Sequence, residues 1–304
     1  MSRRRALLPA LAASLALTLA ACGGGNAGSG TTADAGGDAK GSEANPVVIG
    51  VVGTSDPQWP LFEKLAEEEG IHVELTNFTD YPSINPALTE GTLDLNQFQH
   101  ILYLAQYNSA TDSDLTIIGD TAIYPMGVYS DKYTDVADIP EGGEITIPND
   151  PTNQARALFL LQDAGLLKLK DGVSTVPAPT DIDTANSRVK VTPVDANNVV
   201  TAISSVAASV VNNDYLSDAG LKATDSIYLE DADQEGAQPY INIWVSRAED
   251  ADNETYLKLV SIFDSQEVKD AVQANADGSA IFADLPLDEL AGILADEQAK
   301  LSNQ

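Results

Sequence analysis

Apolar and polar positions alternate along the chain with the periods of strands and helices. After Pro46, a continuous apolar run from Val47 to Gly53 is typical of a strand buried in a parallel sheet. Helical periodicity over residues 57–69 stops at Gly70, a residue suited to the C-cap of a helix. Residues 71–76 then alternate as a half-buried strand does. The pattern predicts a β-α-β unit at the start of the folded part.

The same alternation continues along the chain, so the predicted fold class is α/β. The length of 304 residues is about twice the usual ~150 of one domain, which favours two lobes. With 43% hydrophobic residues, the chain can bury a core. Further strands and helical segments are expected at residues 87–91, 93–96, 145–148, 153–164, 189–194, 199–205 and 208–212.

Residues 1–21 have the layout of a secretory signal peptide. Arginines at positions 3–5 precede an apolar run, 6–21, that is shorter than the roughly 20 residues of a membrane-spanning helix. The segment Leu19-Ala20-Ala21-Cys22 is similar to the bacterial lipobox, in which the cysteine becomes the lipidated first residue. Residues 22–45 hold no large apolar side chain and predict a flexible tether. We therefore expect a lipid anchor on Cys22 at the extracytoplasmic face of the cell membrane.

The charge balance and the few metal-binding side chains exclude several classes of protein. Sixteen Lys and Arg stand against 46 Asp and Glu, and the net charge of −30 repels phosphate backbones, so no nucleic-acid partner is expected. One cysteine excludes an internal disulfide framework, and two histidines leave little for a zinc site. We expect neither a metal nor a cofactor.

Polar side chains follow several predicted strands, where the ligand sites of open α/β sheets lie. The groups are Asn96 to His100, Pro148 to Asn153, and Asn212 with Asn213. Asp150 and Thr152 can equally serve as a helix cap, since Pro151 suits the first helical position. Arg156, further along that helix, can bind a ligand carboxylate or can pair with an acid on the surface.

Aromatic side chains, few in the chain as a whole, cluster within residues 78–124. They are Phe78, Tyr81, Phe98, Tyr103, Tyr107 and Tyr124. The cluster, which surrounds His100 in the sequence, can wall a pocket for an apolar ligand, and it can equally be ordinary core. The sequence contains no motif of a nucleophile elbow, a zinc protease or a phosphate-binding loop, so no catalytic residue is predicted.

The lipobox and several later motifs occur together in one order. The later motifs are Ile49-Gly50-Val51, Leu93-Asp94-Leu95-Asn96-Gln97-Phe98-Gln99-His100, Ile147-Pro148-Asn149-Asp150-Pro151-Thr152-Asn153 with Arg156, and Pro239-Tyr240-Ile241-Asn242. This set resembles the methionine-binding lipoproteins of ABC importers, the MetQ/NlpA family. The resemblance extends from about Pro46 to about Gly278.

The resemblance implies a two-lobed periplasmic-binding-protein fold of the type II kind, with the ligand in the cleft between the lobes. Residues 46–125 plus 240–304 would form lobe 1, and residues 126–239 would form lobe 2. Arg156 would bind the ligand carboxylate, and Asn212 and Asn242 the backbone groups of an amino acid. The remaining implied ligand-binding residues are Tyr81, Phe98, His100 and Tyr103 around a thioether, with Tyr124 and Asn153.

The same resemblance implies that the protein captures L-methionine and delivers it to a membrane permease driven by a cytoplasmic ATPase. Three alternatives stay open at this point. The fold could bind another amino acid or a methionine-containing dipeptide. His100 could act as the general base of an extracytoplasmic enzyme. The chain could also be a structural lipoprotein without a small ligand.

Overall fold

The computed structural model describes residues 39–217, 219–232 and 236–303. The predicted signal peptide, the lipobox with Cys22 and most of the predicted tether lie outside these residues. Among the residues described, no helix is both long enough and apolar enough to cross a membrane.

Two five-stranded sheets with surrounding helices form the framework of the described chain. The strands are β1 (Val47–Val52), β2 (Val73–Phe78), β3 (Leu95–His100), β4 (Thr116–Asp120), β5 (Ala122–Ile123), β6 (Gly127–Tyr129), β7 (Glu144–Pro148), β8 (Lys190–Val194), β9 (Ala208–Val211), β10 (Tyr228–Leu229), β11 (Asn242–Ser246) and β12 (Ile281–Phe282). The α-helices are α1 (Gln58–Glu68), α2 (Ile84–Thr89), α3 (Ile101–Thr111), α4 (Pro151–Asp163), α5 (Ala196–Ala202), α6 (Glu254–Phe263), α7 (Gln266–Asn275) and α8 (Leu287–Ser302).

The strand order of each sheet shows how the chain passes between the two lobes. The first sheet has the order β2-β1-β3-β11-β4, in which β11 runs antiparallel to both of its neighbours. The second has the order β10-β6-β9-β7-β8. The chain leaves the first sheet after β4, enters the second at β6, and returns between β10 and β11. The predicted α/β fold with two lobes is confirmed.

Helices cover both faces of the first sheet. On one face, α1, α6 and α7 enclose four interlocked aromatic side chains, Trp59, Phe62, Trp244 and Phe263. The ring centroids of Phe62 and Trp244 lie 5.7 Å apart, and those of Trp244 and Phe263 lie 5.3 Å apart. Each such pair adds about 0.5–1.5 kcal/mol to the stabilisation from buried area. On the other face, α2, α3 and α8 form a second, largely aliphatic core.

The second sheet has a core of its own. Ile145 and Ile147 of β7 are fully buried in one cluster with Leu158 and Leu161 of α4. α5 packs against β7 and β9. Val199 of α5 and Val211 of β9 belong instead to the cluster that contains α2, α3 and α8, so apolar packing also joins the two lobes beside the cleft.

One expectation about the strands is wrong. The polar residues Asn96 to His100 were expected to follow a strand, whereas they lie within β3 and are all buried. Pairing with β11 extends the strand, because Asn242 lies opposite His100 and Val245 opposite Asn96. The antiparallel partner is distant in sequence, so local periodicity did not reveal it.

We expect Gly119→Ala to destabilise the protein. A Cβ on Gly119 of β4 would lie 2.4 Å from Cγ1 of Val260 on α6, and the β-branched valine has little freedom to move away. The loss in free energy of unfolding should be about 1–3 kcal/mol, measured by urea denaturation.

The matched control is Gly292→Ala on the exposed face of α8. A Cβ there meets nothing within 4 Å, so the variant should gain roughly 0.5–1 kcal/mol from helix propensity. Equal stabilities of the two variants would contradict the close approach of α6 to β4.

Candidate functional site

The cleft between the two sheets brings all the predicted ligand-binding residues to one cavity, with about 30 Å³ of space for water-sized molecules. Its predicted lining residues are Tyr81, Phe98, His100, Tyr103, Tyr124, Asn153, Arg156, Asn212 and Asn242. Three further residues, Gln99, Asn213 and Asp214, complete the lining. Strand ends of both sheets contribute, as expected for a ligand site of an α/β fold.

Buried amides hold β3 in place beneath the cavity. Asn85 of α2 donates to Gln99 Oε1 at 2.8 Å and accepts from Gln99 at 2.7 Å and from Asn96 at 3.0 Å. Gln99 also donates to Asn96 Oδ1 at 2.9 Å. Buried amides without partners would be costly, so this network fixes the side-chain orientation along the strand. Phe98, Gln99 and His100 of this strand all line the cavity.

His100 is neutral and its tautomer is fixed by its contacts. It caps α3, with Nδ1 accepting from the Tyr103 backbone N–H at 3.1 Å. Nε2 must therefore carry the proton, and it donates to Asn153 Oδ1 at 3.3 Å. Burial, and secondarily the charge of Arg156, lowers the pKa of His100 to about 3. His100 therefore acts as a hydrogen-bonding wall of the cleft that also joins the two lobes.

The aromatic cluster is divided between the cavity and the core. Tyr81, Phe98 and Tyr103 form a triangle on the cavity wall, with ring centroids 5.7–6.1 Å apart. Tyr124 also lines the cavity, whereas Phe78 and Tyr107 pack against the hydrophobic core. The prediction of a pocket wall is therefore correct for some members of the cluster, and the alternative of ordinary core is correct for the others.

Arg156 is buried and already has an acidic partner. Only 4% of the residue is exposed, which rules out the alternative of a surface arginine. Its Nε donates to Glu230 Oε1 at 2.9 Å, and its Nη2 donates to Glu230 Oε2 at 2.5 Å and to the Tyr124 carbonyl at 2.9 Å. The guanidinium also lies 4.4 Å from the ring centroid of Tyr240. Burial alone would lower the pKa of Arg156, but the Glu230 carboxylate raises it above its ordinary value.

The helix start at Pro151 positions the asparagines of the second lobe. Asp150 caps α4 by accepting from the Asn153 backbone N–H at 3.0 Å, and Asn153 Nδ2 also donates to Asp150. Asn153 Oδ1 accepts from Asn212 Nδ2 at 2.9 Å. Asn212 Oδ1 is buried and has no hydrogen-bond partner among the described residues. This orphaned oxygen is an acceptor for a donor supplied by a ligand.

Sequence reasoning missed Asp214, which directly follows the Asn212-Asn213 pair. Asp214 accepts from the Tyr81 hydroxyl at 2.8 Å, a bond between the lobes. Burial raises the pKa of Asp214 to about 7, and the nearby Asp56 carboxylate adds to the effect. Glu230 and Tyr240 were also missed. Position after a strand could have indicated Asp214, but nothing local distinguishes Glu230 from the many other acids.

The described residues contain no group of three or more His, Cys, Asp or Glu arranged to hold a metal ion. The donors and acceptors of the cavity instead suit an organic ligand that carries both charges. Arg156 can meet an anionic group, while Asn212 and Asp214 can meet a cationic one.

Comparisons with known proteins agree on one family. The family described as NlpA lipoprotein matches residues 47–283. The chain is 36% identical over 244 residues to a D-methionine-binding lipoprotein MetQ of Salmonella typhi, covering 79% of this chain and 89% of the relative.

Solved structures give the same result. The substrate-binding protein of a methionine transporter from Streptococcus pneumoniae is 33% identical, with a TM-score of 0.73 over 78% of this chain and 95% of the other. A nutrient-binding protein from Burkholderia cenocepacia, bound to methionine, is 36% identical, with a TM-score of 0.72 over 78% of this chain and 100% of the other. The chain belongs to the NlpA lipoprotein family.

Proposed function

We propose that this protein is a lipid-anchored, extracytoplasmic substrate-binding protein that captures methionine and delivers it to an ABC importer. The importer would consist of a membrane permease and a cytoplasmic ATPase. The observation that carries the proposal is one cleft with a buried guanidinium, an orphaned amide oxygen and a wall of aromatic rings. These features match the carboxylate, the ammonium and the thioether of methionine, since aromatic rings attract a thioether sulfur.

Each polar group of the ligand has a proposed partner. Arg156 would bind the carboxylate through Nη1, which makes no hydrogen bond to any described residue. Asn212 Oδ1 and Asp214 would accept from the ammonium. Asn242, which also lines the cavity, would bind a backbone group of the ligand. L-methionine is the expected ligand. Its affinity should be compared with that of D-methionine, because the Salmonella typhi relative is named for that enantiomer.

Hydrogen bonds between the lobes support a mechanism of closure over the ligand. Besides the bond from Tyr81 to Asp214, Ser217 donates to Asp56 Oδ1 at 3.0 Å and Asn197 to the Thr79 carbonyl at 3.1 Å. We propose the lobe limits 46–125 plus 240–304 and 126–239, so that ligand entry breaks these bonds and closure restores them. The closed form would then be the state that the permease recognises.

The contacts of His100 argue against the enzymatic alternative. A general base needs a free lone pair and a pKa near the working pH. Here Nδ1 accepts from a backbone N–H, Nε2 donates to Asn153, and the pKa is about 3. We therefore propose that the protein binds without chemical turnover.

A second cavity favours a longer ligand as the second candidate. It adjoins the first and shares Phe98, Tyr124 and Asp214 with it. Gln58 Oε1 and Trp59 Nε1 on its wall are buried without hydrogen-bond partners among the described residues. The additional polar groups of a methionine-containing dipeptide would form hydrogen bonds with these two atoms. Titration calorimetry with methionine and such dipeptides compares the candidates, and tighter binding of a dipeptide would favour the second.

Arg156→Ala should weaken methionine binding by about 2–4 kcal/mol, roughly 30- to 700-fold, since the carboxylate loses a buried charged donor. The same substitution should change the binding of methioninol, which lacks the carboxylate, much less. Titration calorimetry measures both affinities.

Arg188→Ala is the control for that variant, because Arg188 is a partly exposed arginine of the same lobe whose acidic partner is Glu141. It should leave both affinities unchanged. An Arg156→Ala protein that binds methionine as tightly as the control would show that the carboxylate lies elsewhere.

Methionine affinity should fall as the pH drops below 7. With its pKa near 7, Asp214 is largely protonated below this pH in the empty cleft, whereas a ligand ammonium favours the carboxylate. Binding must then release a proton, so the dissociation constant should rise by up to about tenfold per pH unit below 7. His100 stays neutral over this range because its pKa is about 3.

Calorimetry from pH 5.5 to 8 in buffers of different ionisation enthalpy measures the affinity and the released proton. Asp214→Asn should remove most of this pH dependence. A dependence of equal slope in wild type and variant would assign it to another group.

Cys22→Ser should move the protein from the membrane fraction to the soluble fraction, because the serine cannot carry the thioether-linked lipid. Fractionation of cells followed by immunodetection tests this. Retention of the variant on membranes would contradict the lipid anchor.

A further inference from the structure

The guanidinium of Arg156 is held along one edge before any ligand arrives. Glu230 occupies Nε and part of Nη2, and the Tyr124 carbonyl accepts from Nη2 as well. The ring of Tyr240 lies 4.4 Å from the guanidinium carbon. These contacts leave Nη1 as the group without a hydrogen bond in the described chain.

Glu230 is itself fixed in place by the backbone. The Met126 N–H donates to Glu230 Oε2 at 3.0 Å, and the Glu230 N–H donates to the Met126 carbonyl at 2.9 Å. Met126 lies in the segment that runs from β4 to β6, while Glu230 begins the segment that returns to β11. The carboxylate is therefore anchored where the two connections between the lobes meet.

From this geometry, we propose that Glu230 is a positioning residue of the carboxylate subsite, acting through Arg156. An arginine side chain without such a partner samples many rotamers, and a buried guanidinium without a counter-charge is strongly disfavoured. In the empty cleft, Glu230 restricts the rotamers of Arg156 and supplies its counter-charge. It thereby orients Nη1 toward the ligand. This inference rests on the proposed function, in which Arg156 binds the carboxylate.

The geometry also defines the competing role. A carboxylate at 2.5 Å from Nη2 could instead compete with the ligand for the guanidinium. The two roles have opposite consequences. Removal of a positioning residue weakens the binding of methionine, whereas removal of a competitor strengthens it.

The test is calorimetry on wild type, Glu230→Ala and Glu230→Gln with methionine and methioninol as ligands. For Glu230→Ala, methionine affinity should fall by about tenfold or more, and methioninol affinity by less than about threefold, because only the first ligand uses Arg156. Glu230→Gln keeps one acceptor oxygen and should be intermediate. Glu141→Ala is the matched control, since Glu141 is an exposed glutamate that pairs with Arg188.

The ratio of the two affinities separates the explanations. A purely structural role of Glu230 would lower both affinities equally and leave the ratio unchanged, which would overturn the inference. Tighter methionine binding would overturn it in favour of competition. A wild-type protein that binds methionine and methioninol equally would instead refute the carboxylate assignment of the proposed function. If Glu230→Ala does not fold, the same ratio measured on Glu230→Gln decides the question.

Discussion

The burial of a polar strand is the constraint on which the site depends. All six residues of β3 are buried, and four of them carry amide or imidazole side chains. Such a strand is stable only when its polar groups have partners, and Asn85 supplies them for Asn96 and Gln99. Gln97 donates to Thr121, and His100 accepts from the Tyr103 backbone N–H. The amide network lies within the first lobe and holds β3 in place. His100 can then form a bond with the other lobe from a fixed position.

The second lobe faces the end of β3 with side chains whose hydrogen-bonding groups are only partly used. Asn153 is held by Asp150 and contacts His100 and Asn212, but Asn212 Oδ1 has no hydrogen-bond partner in the part of the chain that the structure describes. Arg156 is likewise bound along one edge only. The lobes can therefore close on each other through a few direct bonds, while the remaining donors and acceptors are left for a ligand. Closure and binding depend on the same side chains, which is why a ligand can shift the equilibrium between open and closed forms.

The sequence predicted the first lobe's opening strand and helix well, because β1 and α1 follow local periods. It also indicated the residues of the cavity, since most of them stand at strand ends or in recognisable motifs. It could not indicate the pairing of β11 with β3, which joins segments far apart in the chain. For the same reason it missed Glu230, whose role is defined only by Arg156 and Met126 in space. Local sequence patterns do not encode these interactions, because each joins residues that are far apart in the chain.

The charges of the cleft agree with the charge of the whole protein in favouring a zwitterion. Arg156 is already neutralised by Glu230, so an anionic ligand without an ammonium group would add an uncompensated charge to a buried site. The net charge of −30 acts in the same direction at long range, because it repels anions and leaves net-neutral solutes unaffected. The Arg156–Glu230 pair and the net negative charge of the protein therefore both disfavour anionic solutes without an ammonium group. Asp214, whose pKa burial raises to about 7, would add a preference for solutes that carry a positive group, since a nearby ammonium favours its carboxylate form.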